Sequence, residues 1–304
     1  MCPGMPFPFP LLVFAPPQML LVLYRLLAWL PLSWLQWIGR RVGGMVYRLS
    51  PAYAARLREN AARAGYPGDA FARRAAAEAG ASALEVPCVW FRAERALARC
   101  HTDDWGVVEA AVAEGKGVLF LTPHLGCFEV TARYLARRNG AITVLYRPPR
   151  KAWLARLVET ARAAPGLATA PANLNGVRQL VRALRKGESI GILPDQVPGN
   201  GEGVWAPFFG RDAFTIVLPG RLVAQTGAPV VLTAGERLPH GRGWRIHYLR
   251  MPGALPDTPQ GQAAWINAGM EAMIRRCPEQ YLWGYNRYKA PPGTVRDATA
   301  PESP

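Results

Sequence analysis

The sequence predicts an α/β protein: a single domain with a central mixed sheet flanked by helices, preceded by an N-terminal hydrophobic helix that anchors it to a membrane. Three observations lead there. Short apolar runs at Val118–Leu121, Ile142–Tyr146 and 189–193 alternate with helical stretches, the pattern of strand-helix-strand units on one sheet. A chain of 304 residues, 50% of them hydrophobic, can bury a core of that size. Residues 20–38 carry one charge, Arg25, and are followed at once by Arg40 and Arg41.

Residues 1–18 hold five prolines after Met5 and no charge, which suits neither a helix nor a signal peptide with a basic start. They read as an extension outside the fold, disordered or preceding the true start. The anchor is assigned to 19–41. Its apolar part is barely long enough to span a bilayer, Pro31 interrupts it, and Trp29, Trp34 and Trp37 suit the membrane interface. A short spanning helix and an interfacial helix pair are both compatible with it. The remaining domain runs from 42 to 290, with a mobile tail at 291–304.

Residues 51–116 read as helices, with runs at 56–64, 70–88 and 93–99 and with Gly65, Pro67 and Gly68 as punctuation. His101 is a surface histidine, and Asp103 and Asp104 look like an N-cap pair. At Val118–Leu121 an unbroken apolar run gives a strand buried on both faces, ended by Thr122 and Pro123. His124 follows in the turn. Glu129, five residues on, opens an amphipathic run whose first turn falls near Gly126. A carboxylate there can reach back to the imidazole, fix its tautomer and support the imidazolium formed when the other ring nitrogen takes a proton. With 4 His and 21 acids the spacing alone is a weak signal; its position at a strand's carboxyl end strengthens it.

Beyond it, Ile142–Tyr146 is a strand leading to Arg147, Ala152–Arg162 and 176–186 are helices, and 189–193 is a strand closed by Pro194, Asp195 and Gln196. His124, Arg147 and Asp195 therefore emerge on one sheet edge. Residues 199–219 combine glycines with Trp205, Phe208, Phe209 and Phe214; they line a channel for a hydrocarbon tail or pack as a core loop. Further along, 222–226 and 265–276 are helical, and 230–234 and 244–248 are strands, with His247 on a strand face.

A net charge of +15 favours an anionic partner, whether nucleic acid, an acidic protein or a phosphorylated lipid surface. No zinc-finger, helix-turn-helix or RNA-recognition signature accompanies it, which argues against nucleic acid. Five scattered cysteines form no close pair, so neither a disulfide framework nor a zinc site is indicated.

Taken in order, TPHLGCFE, YRPP, GILPDQ, EGVWAPFFG with Thr215, TGAPVV and EQYLWGYNRYK strongly resemble the bacterial lipid A biosynthesis acyltransferases of the lauroyl and myristoyl group, within the lysophospholipid acyltransferase superfamily. The resemblance runs from Met19 to about Lys289 and includes MLLVLYRLLAWLP and LREN, ending at Asn60. It implies a glycerolphosphate acyltransferase-like fold and acyl transfer from an acyl carrier protein thioester to a hydroxyl of a lipid A precursor, at the cytoplasmic face of the bacterial inner membrane.

It also implies a catalytic pair, His124 and Glu129, with Arg147 and Asp195 at further active-site positions. His124 would deprotonate the acceptor hydroxyl. Arg147 or the N–H groups near Gly126 would stabilise the carbonyl oxygen, while Trp205, Phe208 and Phe209 are the acyl-channel candidates. Neither a metal nor an organic cofactor is required, acyl carrier protein being a co-substrate. The partners implied are that carrier, the lipid A precursor and the anionic membrane surface. Gly284, Tyr285 and Asn286 stand before Arg287 where the family often has a basic residue, which leaves room for another acceptor, such as a phosphatidylinositol mannoside or a lysophospholipid. A rival chemistry would use Cys127 as the nucleophile of an acyl-enzyme hydrolase.

Overall fold

In a computed structural model the chain is described over residues 17–149, 152–199 and 201–294. Most of the extension at 1–18 and the tail from 295 lie outside these residues. Helix α1, Pro17–Leu27, opens two residues before the expected Met19 with proline in its first turn, where a missing N–H costs nothing. Pro31 then separates it from α2, Leu32–Leu49. The N-terminal segment is thus a helix pair, one of the two arrangements the sequence allows, in place of one continuous anchoring helix: α1 has 11 residues, and among the described residues no helix is long and apolar enough to cross a membrane.

Helix α3, Pro51–Arg63, leads to α4, Asp69–Phe91, the longest helix, which packs along α2. Gly39 and Gly43 of α2 face Gly80 and Ala76 of α4 so closely that a Cβ on any of these glycines would collide with the opposite backbone. A short α5, Ala93–Leu97, precedes the two-residue strand β1, Cys100–His101, and α6, Trp105–Val112. Asp104 stands at the N-cap of α6 but makes no capping bond with its side chain; its carboxylate accepts from the Tyr248 N–H instead.

Strand β2, Val118–Leu121, begins the alternating part, followed by α7, Phe128–Asn139, β3, Ile142–Tyr146, and α8, Ala152–Arg162. Next come β4, Leu167–Pro171, α9, Leu174–Arg185, and β5, Ser189–Ile192. The apolar stretch at 199–219 forms an antiparallel hairpin, β6, Gly203–Phe208, with β7, Arg211–Ile216, pairing Trp205 with Phe214. The remaining elements are α10, Leu218–Thr226, β8, Val230–Arg237, β9, Trp244–Arg250, and α11, Pro259–Ile274.

The main sheet has seven strands in the order β1-β9-β8-β2-β5-β3-β4. All neighbours run parallel except β8 and β9, so the sheet is mixed, as expected. Because side chains alternate along a strand, β2 feeds two cores. Leu119 and Leu121 pack with α9 and α11 through Leu180, Ile266 and Met270; Val118 and Phe120 pack with α6 and α7 through Val108 and Val130. A buried ion network ties the N-terminal helices to the sheet. Arg237 of β8 bonds Glu85 (Nη2 to Oε1, 2.6 Å) and Glu78 (Nη1 to Oε2, 2.6 Å) of α4, and Arg40 of α2 bonds the other oxygen of Glu78 at 2.6 Å.

Candidate active site

Strands β2 and β5 are parallel neighbours, in register from Val118 opposite Ser189 to Leu121 opposite Ile192. Their following loops therefore leave the same edge of the sheet, where open α/β sheets bind ligands. One loop carries His124 and the other Asp195. The His124 backbone N–H donates to Asp195 Oδ2 at 2.8 Å, and Nδ1 lies 2.7 Å from Oδ1. Facing a carboxylate, Nδ1 carries the proton and Nε2 is left as the acceptor. The Gln196 side-chain amide donates to that Nε2 at 3.1 Å, which is consistent with the same tautomer.

Asp195 is 1% exposed. Burial alone would push its carboxyl up, but the His124 imidazole, its hydrogen bond and the backbone N–H outweigh this and hold it below the usual carboxylate range. Tyr281 stands close to Asp195, and burial drives its phenol far up, so it remains a neutral neighbour. The buried Arg287 adds a favourable charge for the carboxylate. Arg287 itself is fixed by Phe214 O at 2.7 Å and Thr215 Oγ1 at 2.7 Å.

The terminal motif brings these groups in. Leu282 N–H donates to His124 O at 3.2 Å, Gly126 N–H to Gln280 O at 3.0 Å, and Leu125 bridges Tyr281. Asn60 Nδ2 holds the segment from below, donating to Trp283 O at 2.7 Å and Tyr285 O at 3.0 Å. Gly126 takes a left-handed φ of +56°, and a Cβ there would strike the Gly235 carbonyl, so the turn between His124 and α7 requires glycine.

Glu129 does not make the expected contact with His124. Helix α7 starts at Phe128, later than expected, so the left-handed turn at Gly126 lies between the two residues and Glu129 points elsewhere. Its carboxylate accepts from Arg162 Nε at 3.1 Å, from Arg162 Nη2, and from Trp90 Nε1 at 3.0 Å. Burial raises its pKa and Arg162 and Trp90 lower it, with a net fall. The pair clamps α7 to α8 and α4, while Phe128 sets its ring edge-on to His124 at 4.9 Å.

Arg147 is not drawn to the histidine. It stands at the rim, its side chain 64% exposed, 3.5 Å from Glu202. The N–H groups of Gly126 and Cys127, expected near the oxyanion, are already given to Gln280 O and Gly235 O. Phe208 and Phe209 are buried in the core, Phe208 against Tyr281 and Phe209 against Trp283, and Trp205 packs edge-on to Phe214. The cavity beside Phe208 measures about 10 Å³, room for a single water and not for an acyl chain. Cys127 is a free, buried thiol whose pKa burial pushes far up, the opposite of an activated nucleophile. Among the described residues no three His, Cys, Asp or Glu side chains stand close enough to share a metal ion.

Gln196, Tyr281, Arg162 and Trp90 were not singled out from the sequence. Gln196 and Tyr281 lie within GILPDQ and EQYLWGYNRYK, so the motifs held the signal without the roles. Arg162 ends a helix whose bounds match the expected 152–162, and nothing local marks it as the partner of Glu129.

A family model of the bacterial lipid A biosynthesis acyltransferases matches residues 16–290. Among individual relatives, the chain is 28% identical over 220 residues to the lipid A biosynthesis lauroyltransferase of Escherichia coli (strain K12), covering 71% of each chain. It is 26% identical over 218 residues to the lipid A biosynthesis palmitoleoyltransferase of the same organism, covering 70% of this chain and 69% of the relative. It is also 28% identical over 177 residues to the lipid A biosynthesis acyltransferase of Haemophilus influenzae (strain ATCC 51907 / DSM 11121 / KW20 / Rd), covering 58% of this chain and 55% of the relative.

Proposed function

Because the chain belongs to the bacterial lipid A biosynthesis acyltransferases and is thus an O-acyltransferase of lipid A biosynthesis, we propose that His124 is its general base, with Asp195 on the imidazole's far side. The observation that carries this reading is the 2.7 Å contact between Nδ1 and a carboxylate that is almost wholly buried. Nε2 takes the proton of the acceptor hydroxyl, and the oxygen attacks the thioester carbonyl of an acyl carrier protein. The tetrahedral oxyanion then collapses, the carbon–sulfur bond breaks, and the thiolate leaves with the proton returned from Nε2. Asp195 stabilises the imidazolium between these steps.

Gln196 touches the same ring nitrogen that the acceptor must reach. It therefore turns aside when the hydroxyl binds, and its amide N–H becomes a donor for the developing oxyanion. Glu129 acts at one remove, as a positioning residue: the clamp to Arg162 and Trp90 sets the start of α7 and with it the Phe128 ring against His124. This departs from a direct pairing of His124 with Glu129.

The acceptor is a hydroxyl of a lipid A precursor, the 3-hydroxyl of an acyl chain already attached, and the reaction takes place at the cytoplasmic face of the inner membrane. Supporting the membrane part are Trp29, Trp34 and Trp37, which are 68%, 62% and 58% exposed. Arg92 lies over Trp29 at 3.8 Å and Arg41 over Trp37 at 5.3 Å. Aromatic faces beside arginines suit an anionic interface.

Mass spectrometry of lipid A from cells lacking this chain tests the reading. A product short of one secondary acyl chain, restored by wild type and not by His124→Ala, is expected, and the mass difference gives the chain length. Unchanged lipid A with another glycolipid altered would overturn the acceptor.

A further inference from the structure

Helix α7 carries a second feature on the face that holds Glu129. Arg133 and Arg137 follow it at four-residue spacing, so they stand one and two turns further along, about 6 and 12 Å down the axis. With Arg92 and Arg95, from the end of α4 and from α5, they line a cavity of about 600 Å³ to which 163–165, the loop after α8, also contribute. Four arginines face it against one carboxylate, that of Glu94, which is 79% exposed and only loosely paired with Arg137 at 3.7 Å. Arg133 is 4% exposed and anchored by the Ala161 carbonyl at 2.6 Å, so part of this charge is fixed within the fold. Glu129, one turn before Arg133 on α7, is already committed to Arg162 and Trp90.

The cavity also has a defined position relative to the aromatic surface. Arg92, on its wall, stacks over the exposed Trp29 at the end of α1. An excess of guanidinium groups with their planar forks suits phosphate oxygens, which such groups bind in pairs. A volume of this order accommodates a phosphorylated sugar and not merely an ion.

We propose that this arginine-lined cavity between α5, α7 and the loop after α8 binds a phosphate group on the sugar head of the lipid acceptor. The assignment rests on the acceptor named under Proposed function. It makes the cavity a specificity site: the phosphate docks one to two helical turns from Glu129, and the acyl-bearing part extends toward His124.

The test uses the full chain and the double variant Arg95→Ala/Arg137→Ala, two exposed positions whose loss leaves the core intact. The probes are an acylated disaccharide carrying phosphate and the same compound after phosphatase treatment. Losing two charged phosphate contacts should weaken equilibrium binding of the phosphorylated compound, measured without donor, by about tenfold or more. Its KM should rise by a similar factor while kcat stays within about twofold. The dephosphorylated compound should show the same KM with wild type and variant. Arg137→Lys should recover only part of the loss, because an ammonium keeps the charge without the fork.

Equal losses for both compounds would overturn the proposal. So would a rise in the KM of the acyl carrier protein donor instead, which would assign the cavity to the acidic carrier. A fall in binding to phosphatidylglycerol vesicles with acceptor KM unchanged would assign it to bulk lipid and likewise sink it. If wild type transfers no acyl group to the sugar lipid, the acceptor reading fails, and the binding comparison still decides the cavity.

Discussion

His124 and Asp195 are joined twice, side chain to side chain through Nδ1 and Oδ1 at 2.7 Å and backbone to side chain through the His124 N–H and Oδ2 at 2.8 Å. One carboxylate thus fixes both the imidazole's tautomer and the loop that presents it. Removing its charge while keeping its shape separates these two effects.

Asp195→Asn should lower kcat by roughly two to four orders of magnitude with the protein still folded, since the imidazolium loses its counter-charge and the tautomer its lock. His124→Ala should fall in the same range, and the double variant should be little worse than either single one. Additive losses in a purified acyl-transfer assay would mean that the two residues act separately.

Glu129→Gln should be the milder change in kcat and the sharper one in stability. Glu129 and Arg162 have side chains 11% and 25% exposed, and breaking such a pair leaves a charge stranded at a cost of about 3 kcal/mol or somewhat less. Thermal unfolding should show Glu129→Gln and Arg162→Met both lowered, with the pair of changes together no worse than the sum of the singles. A Glu129→Gln enzyme that unfolds normally yet loses as much kcat as Asp195→Asn would restore a direct catalytic part for Glu129.

Acid should destabilise the fold through the same groups. Asp195, Glu129 and Glu78 all have their carboxyl pKa lowered in the folded state: burial opposes ionisation, but His124, Arg162 and Arg237 respectively outweigh it, together with their hydrogen bonds. A carboxyl lowered in this way contributes stability that is fully present above its unfolded value of about 4 and is lost as pH falls through the folded value. Urea unfolding should therefore give a stability that drops steeply below about pH 4, with a shallower slope for Asp195→Asn. Identical slopes would show that Asp195 is not held low.

Trp34→Ala/Trp37→Ala should reduce partition onto anionic vesicles by more than tenfold, since two aromatic faces withdrawn from the interface are worth on the order of 2 kcal/mol or more. Both rings are already exposed, so thermal stability should hardly move. Unchanged flotation with vesicles would remove α2 from the membrane contact.

Much of this arrangement was legible in the chain. Strands β2 and β3 and helix α8 fall where apolar runs and helical periodicity put them. Strand β4 carries no strand signal in the sequence, because LATAP consists mostly of small residues and ends in proline, so neighbouring strand β3 and not its own composition makes it a strand. The hairpin β6–β7 looks like a loop in the sequence because its glycines and Pro207 mask the alternation. At the site, the sequence places His124 and Asp195 on one sheet edge, as found, but points to a different partner for the imidazole. A carboxylate five residues from His124 invites local pairing, whereas the actual partner lies 71 positions away and is delivered by the adjacency of β2 and β5. Sequence spacing records neighbours along the chain, and this contact is made across the sheet.

The glycine crossing of α2 on α4, with Arg237 bridging from β8, packs the helix that bears Trp34 and Trp37 closely against the sheet that presents His124. If the protein meets its bilayer through Trp34 and Trp37, as proposed, that close packing works as a ruler. His124 would then stand at one height above the lipid plane, set by packing and not by the slack of a tether, and only a hydroxyl carried at that height would reach it. Depth in the leaflet would become a selection criterion in its own right, applied before any contact with the head group.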